Sequence, residues 1–176
     1  MVMTTSRKMM TIGIFVSSVQ KELNEERAAI RDYIRTDPLL QIYFEPFLFE
    51  DLPALDRKPD ELYLDEVDRC TIYLGIFGNE YGSENRQGFS PTELEFKRAT
   101  EKSKYRLILV KGKDESKRHP KMQKLISRAT PHVVRRHFST IDELKKEVYA
   151  ALVQFLCDSK IISSTPFDES ACPRAT

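Results

Sequence analysis

The segment Thr11–Ser17 has the sequence TIGIFVS, which is rich in β-branched residues and apolar on both of its alternating faces. A strand of this kind is typical of the interior of a parallel sheet that helices cover on both sides. The residues Ser17–Gln20 then have the pattern of a capping box, with Ser17 at the cap. The segment therefore predicts a buried strand that leads directly into a helix.

The helix predicted after this strand is amphipathic. Its apolar residues recur at helical spacing from Val19 to Ile34, whereas Glu22, Glu25, Glu26 and Arg27 lie off that stripe. We therefore expect these four charged side chains to face solvent.

The same alternation of strand and helix recurs along the chain. Further strands are predicted at Gln41–Phe47, Thr71–Phe77, Tyr105–Val110 and Pro131–Phe138. Further helices are predicted at 60–69, 90–102, 119–129 and 140–155. Strands that alternate with helices predict a parallel sheet with right-handed crossovers. The expected fold is α/β, a flavodoxin-like three-layer sandwich whose five parallel strands have the order 2-1-3-4-5.

The length and ends of the chain predict its organisation. A chain of 176 residues suits one domain, which we place at residues 11–158. Residues 1–10 have no pattern and predict a mobile leader. Residues 159–176 are rich in Ser, Thr and Pro, and predict a linker that leads to a further domain in the natural protein.

Several classes of protein do not fit the composition. The net charge is +1, from 28 basic and 27 acidic residues, so no global field attracts nucleic acid or anionic lipid. The longest apolar run near the start, Ile12–Val16, is far too short to span a membrane. The three cysteines lack CxxC spacing, and the three histidines lack the spacing of metal ligands. We expect a cytoplasmic protein with no metal, no cofactor and no membrane contact.

The predicted strand order also predicts where a ligand would bind. In open parallel sheets ligands bind outside the carboxyl ends of the strands, where the strand order reverses, here between strands one and three. Ser17 and Ser18 follow strand one and offer hydroxyls to phosphate or ribose oxygens. Gly78, Tyr81 and Gly82 follow strand three and offer close backbone approach and a ring that could stack on a base. Two structural alternatives stay open, with Ser17 as a helix cap and Tyr81 packed locally.

A carboxylate on the next helix is a further candidate. The residues Ser90–Glu93 form a capping box, which gives Glu93 a structural role. Glu95 lies about 200° around the helix from Glu93 and has apolar neighbours, Leu94 and Phe96. Burial would shift its pKa and make it a functional candidate. The alternative is a glutamate that faces solvent.

Three separated motifs resemble a known family. They are Ile14–Ser18 with Glu26-Arg27, then Tyr73–Gly78 with Tyr81-Gly82, then Ser90-x-Thr92-Glu93-x-Glu95-Phe96-x-x-Ala99. This set resembles the DUF4062 family, a Toll/interleukin-receptor-like (TIR-like) domain of unknown function. The resemblance implies a domain at the N-terminus of a multidomain protein, beside NTPase, Schlafen/AlbA-type or helicase-like modules.

A more distant resemblance bears on chemistry. Thr92-x-x-Glu95-x-x-x-Ala99 is similar to the segment of nucleoside deoxyribosyltransferases that carries their catalytic glutamate, and TIR-type NAD hydrolases also use a glutamate on a helix. The resemblance implies that Glu95 acts as nucleophile or stabilises an oxocarbenium-like transition state. The chain departs from the deoxyribosyltransferase pattern at Lys97, where a glycine is usual.

The same resemblance implies roles for other residues. Ser17 and Ser18 would hold ribose or phosphate, with Thr92 in the same ligand site, and Tyr81 would stack on the base. Asp51, after strand two, is a candidate for a second carboxylate, although no motif places it.

Two functions follow from these observations. The main prediction is a nucleotide-linked sensing or assembly module that acts as a homo-oligomer or through a downstream domain of the same chain. The alternative is an N-ribosyl glycosidase that hydrolyses NAD or a related nucleotide with Glu95. Catalysis requires a buried Glu95 that faces a pocket beside Ser17 and Tyr81. Nucleic-acid binding through Lys111–Lys124 is not expected, because this basic stretch lacks interleaved aromatic residues.

Overall fold

The computed structural model describes residues 11–51, 59–130 and 134–163. The predicted leader, most of the predicted tail and the start of the fifth predicted strand lie outside these ranges. The strands are β1 (Ile12–Ser17), β2 (Phe44–Phe47), β3 (Ile72–Phe77), β4 (Tyr105–Lys111) and β5 (Arg135–Phe138). The helices are α1 (Asn24–Thr36), α2 (Leu40–Tyr43), α3 (Pro59–Arg69), α4 (Pro91–Glu101), α5 (Pro120–Ala129) and α6 (Ile141–Asp158). A 3-10 turn at Phe49–Asp51 follows β2.

The five strands form one parallel sheet in the order β2-β1-β3-β4-β5, as the sequence predicts. The order reverses between β1 and β3, which pair with Ile14 opposite Ile72 and Ser17 opposite Gly75. The carboxyl ends of β1 and β3 therefore lie side by side. Among the described residues no helix is long and apolar enough to cross a membrane.

Apolar side chains alternate between the two faces of the sheet and give it a core on each side. On β3, Ile72 and Leu74 pack in the core that α1 and α6 cover, whereas Tyr73 and Phe77 pack in the core beneath α3, α4 and α5. Every residue of β3 is buried. This explains why its sequence has no polar face.

Two expectations about the first helix are wrong. Helix α1 begins at Asn24 with Leu23 at its N-cap, and no side chain of the described residues caps it, so Ser17 is not the cap of this helix. Ser17 is the last residue of β1, and its hydroxyl is bonded instead to Glu95, 78 positions away. The other error concerns charge, because Glu26 and Arg27 are buried. Both errors arise where a contact distant in sequence overrides a local pattern.

The second strand is shorter than predicted. The segment Gln41–Phe47 divides into the end of α2 and the four residues of β2. The side chain of Asp37 explains the helical turn, since its Oδ1 accepts hydrogen bonds from the backbone N–H groups of Leu39 and Leu40.

Candidate functional site

A cavity of about 700 Å³ opens at the carboxyl ends of the strands. Its wall comes from the end of β1, from Arg27 of α1, from the loops that follow β1, β2, β3 and β4, and from α3 and the first turns of α4. Of the residues predicted for the site, Ser18, Tyr81, Gly82, Thr92 and Glu95 line it. The cavity lies at the point of strand-order reversal, where ligands bind in sheets of this kind.

Glu95 is a buried carboxylate in the cavity wall. Its side chain projects from the second turn of α4, and the residue is only 5% exposed. Ser17 Oγ donates a hydrogen bond to Glu95 Oε2 at 2.5 Å. Burial raises the pKa of Glu95 to about 7, against the opposing effects of the Ser17 hydrogen bond and the positive charge of Arg27. The alternative of a solvent-facing glutamate is therefore wrong, and near neutral pH this carboxyl group exists in both protonation states.

Arg27 links the loop after β1 to the 3-10 turn after β2. Its Nε and Nη2 donate to the two carboxylate oxygens of Glu50 at 2.7 and 2.6 Å. Its Nη1 donates to Ser18 Oγ at 3.0 Å and to the Val16 carbonyl oxygen at 3.3 Å. The predicted ligand group Ser18 is thus held by a buried guanidinium. The Glu26-Arg27 pair is part of the family motif, so that resemblance was the available signal for Arg27.

Asp51, the predicted second carboxylate, lies outside the cavity wall, and the neighbouring Glu50 is the carboxylate that pairs with Arg27. Asp51 forms ion pairs with Arg31 at 3.1 Å and with Arg35 at 3.4 Å, both on the outer side of α1. Glu50 faces Arg27, and its negative charge adds to the raised pKa of Glu95. Glu50 and Asp51 are neighbours in the same 3-10 turn, and the sequence pattern alone does not show which of the two carboxylates faces Arg27.

Gly78 has a structural role in the loop after β3. The carboxylate of Glu22 accepts hydrogen bonds from the backbone N–H groups of Asn79, at 2.6 Å, and Glu80, at 2.9 Å. A Cβ atom on Gly78 would lie 2.5 Å from this carboxylate. Gly78 therefore allows Glu22 to fix the loop that carries Tyr81 and the adjoining wall of the cavity.

We expect Gly78→Ala to lower the free energy of unfolding by about 2 kcal/mol, because the added methyl group displaces the Glu22 carboxylate from two charge-assisted hydrogen bonds. Denaturant unfolding measures the change. The matched comparison places Gly78→Ala in a Glu22→Ala background, where the carboxylate is already gone. In that background Gly78→Ala should change the free energy of unfolding very little. An equal loss of this free energy in both backgrounds would contradict the explanation.

Tyr81 is packed locally, which is the structural alternative to a ring that stacks on a base. The residue is 2% exposed, and its hydroxyl donates to Glu93, which also pairs with Arg128. Its ring stacks on His119, with ring centroids 5.5 Å apart and an angle of 14° between the ring planes.

The capping box predicted at Ser90–Glu93 is only half formed. Ser90 Oγ accepts from the Glu93 N–H, but the Ser90 N–H donates to the Tyr81 hydroxyl.

Tyr73 adds a buried hydroxyl group close to the Glu95 carboxylate. Among the described residues its hydroxyl oxygen has no hydrogen-bond partner within bonding distance. Burial raises the pKa of Tyr73 well above its ordinary value, the charge of Glu95 raises it further, and the nearby Ser17 hydroxyl opposes the change. Ser17 and Tyr73 therefore both place hydroxyl groups near Glu95, and only the Ser17 hydroxyl is bonded to it.

Comparison with known proteins places the chain in a family. No curated protein sequence matches it. Among solved structures, a CMP N-glycosidase of Clostridium botulinum, BcmB, is similar with 13% sequence identity and a TM-score of 0.47, over 82% of this chain and 99% of that one. The model of the family described as "Domain of unknown function (DUF4062)" matches residues 13–153. The match covers most of the chain, which therefore belongs to the DUF4062 family.

Proposed function

We propose that this domain is an N-ribosyl glycosidase, which cleaves the bond between the sugar and the base of a nucleotide such as NAD. The observation that carries the proposal is the burial of Glu95 in a cavity wall beside Ser17, with a pKa of about 7. Carboxyl groups with strongly shifted pKa values cluster at catalytic sites. A purely structural glutamate would instead be expected to form an ion pair with a neighbouring cation.

The chemistry follows from the carboxylate. As the C1′–N bond breaks, its electron pair leaves with the base, and positive charge develops on the sugar ring. Ionised Glu95 either stabilises this charge while water attacks C1′, or forms a bond to C1′ that water then hydrolyses, which frees the carboxylate. In both cases the oxygen of water ends on C1′ and one of its protons passes to the departing base or to solvent. The low dielectric around the buried group strengthens its interaction with the developing charge.

The geometry suggests a place for each part of the ligand. Phe49 and Tyr63 line the cavity on the side of β2, with ring centroids 4.0 Å apart, and offer an aromatic wall for a base. This assignment replaces Tyr81, whose ring is buried against His119. Ser18 and Thr92 line the space nearer the middle, where they would contact the sugar.

The sensing or assembly module remains the sequence-based alternative. It would bind a nucleotide without turning it over, and would act through a homo-oligomer or a downstream domain. The position of Glu95 favours the glycosidase, because a sensor has no need of a buried carboxyl group at the switch point of the sheet.

The test is a search for free base. Pure protein at high concentration is incubated with NAD and with the common ribonucleoside monophosphates and nucleosides, and chromatography detects the released bases. Calorimetry on the same compounds measures binding. We expect base release from at least one nucleotide. Binding without release from any compound would reject the glycosidase and favour the sensing module.

A further inference from the structure

The loop between β4 and α5 forms the end of the cavity furthest from Phe49 and Tyr63. Lys117 and His119 from this loop line the cavity. In the order β2-β1-β3-β4, three strand spacings separate the residues that follow β2 from those that follow β4. At about 4.8 Å per spacing, the two ends of the cavity lie ~14 Å apart. Glu95, bonded to Ser17 at the end of β1, lies between them.

A buried arginine fixes this loop in place. The side chain of Arg118 is 0% exposed. Its Nε donates to the Gly78 carbonyl oxygen and its Nη2 to the Lys111 carbonyl oxygen, both at 3.2 Å. The backbone N–H of His119 donates to the Asn79 carbonyl oxygen at 2.8 Å. The loops after β3 and β4 are therefore locked together, and the residues on both sides of Arg118 have fixed positions.

One ring nitrogen of His119 is engaged, and the other has no hydrogen-bond partner in the part of the chain that the structure describes. Its Nδ1 accepts a hydrogen bond from the Lys121 backbone N–H at 3.2 Å and so caps α5. A neutral imidazole that accepts at Nδ1 carries its proton on Nε2. The ring is also stacked on Tyr81. The polar group that His119 can offer the cavity is therefore the Nε2–H donor.

The charges of the wall favour an anion at this end. Arg27 lines the cavity but is neutralised by Glu50. Two lysines, Lys21 and Lys117, line the cavity and form no ion pair with another described residue. The negative charges of the wall are the exposed carboxylate of Glu80 and the carboxyl group of Glu95, which is only partly ionised near neutral pH. At the β4 end, the ammonium group of Lys117 and the fixed N–H donor of His119 form a suitable site for phosphate oxygens, and Lys21 adds positive charge to the wall of the same cavity.

We propose that the β4 end of the cavity binds a phosphate or pyrophosphate group of the ligand through Lys117 Nζ and His119 Nε2–H, so that the domain acts on nucleotides in preference to nucleosides. The preference for a substrate class rests on the proposed glycosidase function. The phosphate site itself does not depend on turnover. With a base against Phe49 and Tyr63, the phosphate site would place the sugar near Glu95.

Three probes test the site, namely inorganic pyrophosphate, AMP and adenosine, each titrated calorimetrically against the pure chain. Binding is measured in a Glu95→Gln variant, so that hydrolysis does not interfere. We expect AMP to bind about tenfold or more tightly than adenosine, and pyrophosphate to compete with AMP. Equal affinities for AMP and adenosine, or no binding of either phosphate compound, would overturn the proposal.

Matched substitutions locate the site. Lys117→Ala should weaken pyrophosphate and AMP about tenfold and leave adenosine unchanged. Lys113→Ala removes the same charge from an exposed position of the same loop outside the cavity wall, and should change nothing. His119→Asn keeps a good helix cap but loses the ring N–H donor, and should also weaken AMP. Equal effects of Lys117→Ala and Lys113→Ala would show that only general charge is involved.

Failure of the phosphate site can be told apart from failure of the glycosidase. A wild-type chain that hydrolyses nucleosides as fast as nucleotides would reject the phosphate site and retain the glycosidase. A chain that prefers AMP to adenosine in binding, but releases no base, would retain the phosphate site and reject the glycosidase.

Discussion

Glu95→Gln is expected to reduce base release by about 10²–10³-fold, the range typical of losing one group that stabilises the charge of the transition state. Glutamine has nearly the same shape, and its carbonyl oxygen can still accept the hydrogen bond from Ser17 Oγ. What it lacks is the negative charge that the developing positive charge on the sugar requires. Chromatography of the released base, with wild type and variant at equal concentration, measures the change.

Glu101→Gln is the matched control for this substitution. Glu101 is the last residue of the same helix, α4, and it is exposed. It loses the same charge at a place that does not line the cavity, so its activity should equal that of the wild type. A Glu95→Gln variant that retains activity within a few-fold of Glu101→Gln would contradict a catalytic role for Glu95.

Measuring the free energy of unfolding of the Glu95→Gln variant tests whether unfolding could cause its loss of activity. The pKa of Glu95 rises from 4.5 to about 7 on folding, so the folded chain binds this proton more tightly than the unfolded chain does. The free energy of unfolding of the wild type therefore falls as the pH rises from about 4.5 to 7, and stays lower above it. Glutamine cannot ionise. Above pH 7 the variant should be more stable than the wild type, by on the order of 3 kcal/mol, and near pH 4 the two should be similar.

The fold could be predicted because its signals are local. The apolar runs of β1 and β3 and the helix start at Ser90 can each be recognised within about ten residues of sequence. The strand order then follows from the alternation of strands and helices, together with the few topologies that this alternation permits. The shortened β2 was missed because a single Asp37 side chain begins a helical turn in a segment whose composition favours a strand.

The site could be predicted only in part because its contacts join distant residues. Glu95 was identified as a candidate, but its bond to Ser17 spans 78 positions, and the local capping pattern at Ser17 indicated a different partner. Arg27 was assigned to solvent because helical spacing cannot show that Glu50 and Ser18 surround it. Charged residues are rarely buried without partners, so their burial becomes visible only when those partners are placed.

Arg27→Met and Glu50→Gln should have unequal effects on stability. Arg27 is the donor to Ser18, to the Val16 carbonyl oxygen and to Glu50, and its side chain is 3% exposed. Its removal leaves buried acceptors unpaired, so we expect a loss of about 3 kcal/mol in the free energy of unfolding. Glu50→Gln leaves the buried Arg27 without its counter-charge, but glutamine keeps an oxygen that can accept one of the two hydrogen bonds from Arg27. The side chain at position 50 is 35% exposed, so water can replace part of the other bond, and the loss should be smaller, about 1–2 kcal/mol. Denaturant unfolding separates the two values, and equal losses would contradict this account.

The same two substitutions should shift the titration of Glu95 in opposite directions. The positive charge of Arg27 lowers the pKa of Glu95, and the negative charge of Glu50 raises it. Arg27→Met removes the first charge and leaves Glu50 uncompensated, so the pKa of Glu95 should rise above its value of about 7. Glu50→Gln leaves Arg27 uncompensated, so this pKa should fall. Carbon-13 NMR of glutamate-labelled protein, with the Glu95 signal assigned from Glu95→Gln, follows the titration without any need for turnover. If ionised Glu95 is the active form, the rise of activity with pH should move in the same two directions, and shifts of the same sign would show that the Arg27–Glu50 pair does not control this carboxylate.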